Sequence, residues 1–316
     1  MNARTLTTAS LLAGFIVILP AAAVDTGLLN LVMPDAKVLA GVNVDQAKNS
    51  PFGQYVLSQV QTQNQDLKKL EALTGFDPTR DVRELLVASS TAGGTDHTGL
   101  FLARGTFNPG LIAAAATAHD AVTESYNGVT IIEDPKKMHG LAFPDASLAI
   151  VGDIANVKAA IDRQKSPTGS LPASIVAQVN QWSGSQDAWG ISAVPLSTLH
   201  PPATAPKMPG VNPQNAAFQN IQSAAGGVKF GALVVVTGQV QAATAQDAQQ
   251  LADTVKLLAN LAQMQAANEP IAAALAQSLT VSTSGATVNA SVSVPLDQLE
   301  QALKPKATVK PHLQRK

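Results

Sequence analysis

The sequence predicts an α+β protein of two related halves, each a mainly antiparallel sheet with helices on one face, in an arrangement that leaves room for one shared, extended sheet. Three observations predict it. Strand-like and helix-like segments follow one another as strand, helix, strand, strand, helix, strand, strand, helix, a run typical of helices collected on an antiparallel sheet. The later part of the chain partly repeats the earlier part: "DAWGISAVPLSTLHP" echoes "DAKVLAGVNVDQAKNSP", and "FGALVVVTGQVQAATAQDAQQLA" echoes "TGLFLARGTFNPGLIAAAA". Finally, 316 residues, 46% hydrophobic and 14% charged, suffice to bury one large core or two ordinary ones.

The first half covers residues 34 to 165. "AKVLAGVNVD" reads as a strand. "SPFGQYVLSQVQTQNQDLKKLEALTGF" reads as one helix, capped by Ser50, with Pro51 in its first turn and Gly75 ending it. A strand follows at Glu84 to Ser89, and "TGLFLARGTF" supplies its hairpin partner across the Gly93-Gly94 loop. Asn108 and Pro109 open a helix through "GLIAAAATAH". Asn127-Gly128 makes a turn with a strand beyond it, and "GLAFPDASLAIVGD" adds further strand. In "LAIVGDIANVKAAIDRQ" the turn Gly152-Asp153 leads into a helix at Ile154 to Gln164. A phosphate-cradling loop needs several glycines, and here a single one is followed by a carboxylate where the anion would sit. Asp153 is therefore read as a helix N-cap, with Ile154, Val157 and Ile161 facing the core and Lys158, Asp162 and Arg163 facing solvent.

Residues 166 to 184, beginning "SPTGSLPAS", read as a linker, and residues 185 to 303 as the second half, abridged around Gly226-Gly227. Its longest helix runs from Thr244 to about Asn268. Thr244 and Asp247 form an acidic variant of a capping box, and Leu251, Val255, Leu258 and Leu261 share one face. "LTVSTSGATVNASVSVP" closes this half as a hairpin through Ser284-Gly285.

The two ends have a different character. Residues 1 to 23 carry a short positive start, an apolar run from Leu11 to Leu19 and a Pro20 break before Ala21-x-Ala23, the pattern of an export signal cleaved after Ala23. Nine apolar residues fall well short of the roughly 20 that a spanning helix needs, so no stable transmembrane span is expected in the mature chain. Residues 304 to 316 form a basic, flexible tail with five Lys or Arg and no acid. Residues 24 to 303 then hold 15 basic and 22 acidic side chains, a balance that argues against a nucleic-acid partner. With no cysteine in the chain, disulfides, thiol catalysis, thiolate metal sites and a lipid-bearing cysteine are excluded. Export without cysteine fits a bacterial envelope, which makes the triplet Asn289-Ala290-Ser291 an accidental glycosylation pattern.

Common chemistries find little support. The histidines, His97, His119, His139, His200 and His312, stand apart, without the spacing of a metal site. Asp77, Asp81 and Glu84 cluster near Pro78, but Arg80 and Arg83 interrupt them, which suits ion pairing and capping better than calcium. Gly-x-Ser-x-Gly and Ser-x-x-Lys are absent. Ser89, Asp96 and His97 near the glycine-rich loop are the nearest approach to a Ser-His-Asp set, and Glu133-Asp134 are paired carboxylates without the aromatic surroundings of a sugar site. No catalytic, cofactor-binding or metal residues are assigned, and no cofactor is expected.

"TGFDPTRDVRELLVASS" (74 to 90) and "ASLAIVGDIANVKAAIDR" (146 to 163) resemble recurring pieces of uncharacterised exported bacterial proteins. The resemblance spans about the first half of the mature chain and implies an exported α+β protein, with no residue set to transfer. The expected function is that of a noncatalytic envelope protein, a binding or structural scaffold for a protein, lipid or polymer. Two alternatives stand beside it. One is an exported hydrolase with a Ser/His/Asp site outside known motifs, which needs a Ser or Asp within hydrogen-bond reach of a histidine. The other is a carrier of an apolar ligand under the long helix, which needs an apolar cavity of at least ~300 Å³.

Overall fold

Short apolar runs flanked by turn residues form twelve strands in the computed structural model, which describes residues 24–63, 65–90, 99–134, 138–166, 171–195, 219–264 and 270–303. They are β1 (Val38–Asn43), β2 (Val82–Ser89), β3 (Gly99–Gly105), β4 (Val122–Tyr126), β5 (Val129–Asp134) and β6 (His139–Asp145), then β7 (Leu148–Asp153), β8 (Ala188–Ser192), β9 (Ile221–Lys229), β10 (Leu233–Ala242), β11 (Thr280–Ser284) and β12 (Thr287–Pro295). All pair antiparallel in one open sheet, ordered β11-β12-β10-β9-β8-β1-β2-β3-β7-β6-β5-β4.

The order exposes the repeat. Outward from the central β1–β8 pair, β1-β2-β3-β7-β6 on one side matches β8-β9-β10-β12-β11 on the other. The two halves therefore share one sheet. The first half continues into β5 and β4; among the described residues the second half stops at β11. At the seam, Gly41 is directly opposite Trp189. A Cβ on Gly41 would lie 2.7 Å from Trp189 Cε2 and Cζ2, so the indole occupies the space that a side chain would need.

The helices are α1 (Thr26–Leu29), α2 (Val44–Lys48), α3 (Pro51–Gln63), α4 (Gln65–Thr74), α5 (Pro78–Asp81), α6 (Pro109–Thr117), α7 (Ile154–Lys165), α8 (Ala173–Ser183), α9 (Ala245–Met264), α10 (Pro270–Ser278) and α11 (Leu296–Leu303). Their starts follow local chemistry. Ser50 Oγ accepts from Gly53 N at 2.9 Å, Asn108 Oδ1 from Leu111 N at 3.1 Å, and Asp153 Oδ1 from Asn156 N at 2.9 Å. Thr244 Oγ1 accepts from Asp247 N and donates to Asp247 Oδ2 at 2.6 Å. Asn127 at φ 51° and Gly128 at φ 78° form the β4–β5 turn, where both positions require positive φ.

In the first half, helices cover both faces, where one was expected. Successive strand residues point to opposite sides, and they join different cores. Ile131 and Ile150 pack with Val157 and Ile161 of α7, in a cluster that also takes in Leu39, Leu86, Leu100, Ile191, Val179 and Trp182. Ile132 and Ala149, their neighbours in sequence, pack with Ile112 of α6 and Phe107. In the second half α9 places Ala248, Leu251 and Ala252 against Val240 and Val288.

Four further expectations are corrected. Residues 173–183, read as part of a linker, form α8, whose Ile175, Val179 and Trp182 are buried at helical spacing. The segment around Gly226-Gly227, read as abridged, is the interior of β9. Its glycines fit because Gln186 lies over Gly227 and the Thr237 carbonyl crowds Gly226. Arg163, read as solvent-facing, is buried, and its Nε and Nη2 donate to the Leu31 carbonyl at 3.0 and 2.8 Å. On α9, Leu251 is buried but Leu261 is exposed, along with Leu257 and Met264, so the predicted stripe packs on the sheet only at its start. Residues 1–23 and 304–316, Gly93-Gly94, Asp96, His97, His200, Asn268 and His312 lie outside the described residues.

Candidate functional site

The residues nominated for chemistry are engaged in holding the fold. Asp153 caps α7, and its second oxygen accepts from Asn156 Nδ2 at 2.6 Å. Asp77 caps α5 and accepts from Thr79, while Asp81 receives both Arg80 Nε and Nη2 at 2.7 and 2.8 Å. The Arg80 guanidinium holds the Asp81 carboxyl below its usual range. Among the described residues no three His, Asp or Glu side chains are grouped to hold a metal ion.

His139 lies opposite Asp153 on one neighbouring strand and Asp134 on the other, so the sheet does bring a histidine beside carboxylates. Ser89 is on β2, three strands away from β6, about 14 Å by strand spacing. It is out of reach of His139. Glu133 does meet another carboxylate, Glu124. Lys158 Nζ binds Glu124 at 2.8 Å and lies 5.3 Å from the Tyr126 ring centroid. The Lys158 contact pulls the Glu124 carboxyl down, while burial and then Glu124 push Glu133 up. Tyr126 OH and Asn127 Nδ2 both donate to Asp162, at 2.9 and 2.7 Å. These contacts fasten the β4–β5 hairpin to α7. A glycosidase instead separates its carboxyls by ~5–9.5 Å around a substrate.

The feature that sequence reasoning missed is a lane of apolar and small residues across one sheet face. Gly190, Ala40, Val87, Phe101, Val151, Leu141 and Ile132 are successive cross-strand partners, hence side by side on one face. A second row beside it runs Val236, Val228, Ala188, Val42, Leu85, Ala103. α6 and Phe107 cover the Ile132 end of the first row. Between there and the ground under α9 the lane is open: Phe101 is 55% exposed, Leu85 39% and Val151 38%. A sequence signal existed, since Leu100-Phe101-Leu102 and Leu85-Leu86-Val87 are continuous apolar runs, the mark of a strand with two apolar faces.

The opposite face changes character in the second half. Ser223, Gln239 and Gln241, together with Asn289 and Thr287, occupy the same side as the buried Trp189 and Ile191 of β8. Gln178 of α8 closes a cleft of about 170 Å³ over Ser223, Ala225, Gln239 and Gln241. Its lining is mostly amide and hydroxyl, with Ala224 and Ala225 between, and it is smaller than an enclosed apolar carrier requires.

No protein-family model matches the chain, and no curated protein matches it. Among solved structures, crystal form III of TP0453 superposes with a TM-score of 0.53 at 10% identity, over 86% of this chain and 96% of that one. Crystal forms I and IV of the same protein give TM-scores of 0.49 and 0.48, also at 10% identity, over 86% and 88% of this chain and 95% and 96% of that one. No helix among the described residues is long and apolar enough to cross a membrane. At this identity the likeness is one of fold: this chain has the α+β architecture of TP0453, with helices on a large open antiparallel sheet.

Proposed function

We propose that the protein is a noncatalytic, exported scaffold of the bacterial envelope that binds a partner through the open apolar lane of its sheet. The observation that carries this reading is Phe101, an aromatic in the middle of a central strand, more than half exposed and flanked by the exposed Leu85 and Val151. Contiguous exposed apolar surface marks interaction sites, and covering it yields about 25 cal/mol per Å². The export pattern of residues 1 to 23 supports an envelope location. The scaffold reading is favoured over a hydrolase because Asp153, Asp81 and Glu124 serve as caps and ion-pair partners. It is favoured over a carrier because the lane is an open surface and the cleft beside α8 is polar.

Site-specific photo-crosslinking in the producing cell tests this. A photoreactive phenylalanine at position 101 should form an adduct with a protein or lipid in the envelope fraction, and the same group at Gln241, on the opposite face, should not. Labelling that is equal at both positions, or absent from position 101, would refute it.

A further inference from the structure

We infer that the outer edge of β11 is a docking site for an extended segment of a partner protein, which adds a thirteenth strand to the sheet. The repeat points to the place. β11 corresponds to β6, and in the first half β5 pairs with the outer edge of β6; among the described residues nothing pairs with the outer edge of β11. In chain order, α10 stands where the first half has its β4–β5 hairpin.

The edge is built to accept a strand. Gly285, at φ 56°, begins a two-residue turn between Ser284 and Thr287, which makes that pair a hydrogen-bonded one. By alternation Ser282–Asn289 and Thr280–Ser291 are hydrogen-bonded too, so Val281 and Thr283 aim their N–H and C=O groups outward. Edge strands are ordinarily guarded by charge, proline or a bulge. β11 reads TVSTS, with none of these in its register, whereas β4 at the other edge carries Glu124, held by Lys158.

The occupant's chemistry follows from the strand that β11 already accepts on its inner edge. β12 presents Val288, Ala290 and Val292 towards the α9 side, and Asn289, Ser291 and Ser293 towards the opposite, polar side. A segment of the same kind, alternately apolar and neutral-polar, continues both faces without placing a charge against β11. A second copy of this chain fits less well. Pairing β11 with β11 joins five residues, about 17 Å, and the contact falls far below the ~1,200 Å² of a stable interface. A longer segment from a partner runs past both ends. This edge is distinct from the apolar lane, and the two stand or fall separately.

The test is amide hydrogen exchange of the full chain with a synthetic peptide of the sequence of residues 287–295. Exchange at the Val281 and Thr283 amides should slow about tenfold at saturating peptide, as for newly formed ladder bonds. A peptide N-methylated along its pairing edge should give no protection. Thr283→Pro, tolerated where the N–H faces outward, should abolish binding without lowering the melting temperature. Absent protection, or equal protection by the N-methylated peptide, overturns the inference. So does concentration-dependent dimerisation that Thr283→Pro removes while the peptide leaves exchange unchanged, an outcome that would make a second copy the occupant.

Discussion

Gly41→Ala tests whether the two halves form one cooperative sheet, because Gly41 and Trp189 lie opposite each other where the halves join. An ideal Cβ on Gly41 would sit 2.7 Å from Cε2 and Cζ2 and 2.8 Å from Nε1 of Trp189. Comfortable carbon contacts are ~3.5–4.0 Å, so roughly 1 Å must be found. β1 is paired along both edges and cannot retreat, and the indole is buried in the main core. Overpacking of this kind costs about 1–3 kcal/mol, which at ~2–4 °C per kcal/mol lowers the melting temperature by about 2–12 °C. The assay is urea unfolding followed by fluorescence of the two tryptophans, with calorimetry alongside. Trp189→Leu, whose side chain ends at Cδ, removes the Nε1, Cε2 and Cζ2 atoms that clash, so Gly41→Ala should be far milder in that background, with a coupling of about 1–2 kcal/mol. A loss under ~0.5 kcal/mol in the wild-type background, or the same loss in both, would refute the argument, since surface-like effects fall in that range. Separate unfolding of the two halves would refute their cooperative union.

Arg163→Met should destabilise the protein by about 1.5–3 kcal/mol, the range for hydrogen bonds from a charged donor, because the Leu31 carbonyl loses both contacts that tie the N-terminal segment to α7. Hydrogen exchange accelerating first around residues 28–33 would locate the effect. Glu84→Gln tests a pH dependence. Burial raises the Glu84 carboxyl above its ordinary 4.5, against an opposing hydrogen bond from Asp25 N. The native state therefore holds this proton more tightly than the unfolded one. The stabilisation that comes with protonation is complete below the ordinary glutamate value and is lost as pH rises through the native value. Glu84→Gln, whose amide oxygen can still accept from Asp25, should gain most over wild type at neutral pH, and the gain should shrink as pH falls; a gain that grows on acidification would contradict this.

What was legible in the sequence was local. Asp153, Asn108, Ser50 and Thr244 satisfy amides within three residues of themselves, and Asn127-Gly128 and Gly285 adopt the positive φ that their turns demand. Such choices depend on a few neighbouring atoms, so residue type alone announces them. The internal echo showed the repeat for the same reason, since corresponding strands carry corresponding patterns. Of the candidate surface, only the continuous apolar runs of β2 and β3 were visible, and they suited a covered face as well as an open one.

The long-range arrangement was decided by contacts between distant residues. β9 became an inner strand although its centre is Gly226-Gly227, because Gln186 and the paired backbone of β10 occupy the space that side chains would need. Arg163 was drawn inward by the carbonyl of Leu31, 132 residues away. Which face of β3 stays open depends on where α6, α7 and α9 come to rest, and the unpaired edge of β11 depends on the second half having, among the described residues, no counterpart to β5. Caps and turns were settled by the chain itself, whereas strand order, open face and free edge were settled by packing, because side-chain pattern specifies what a surface prefers to touch but not which distant segment will reach it.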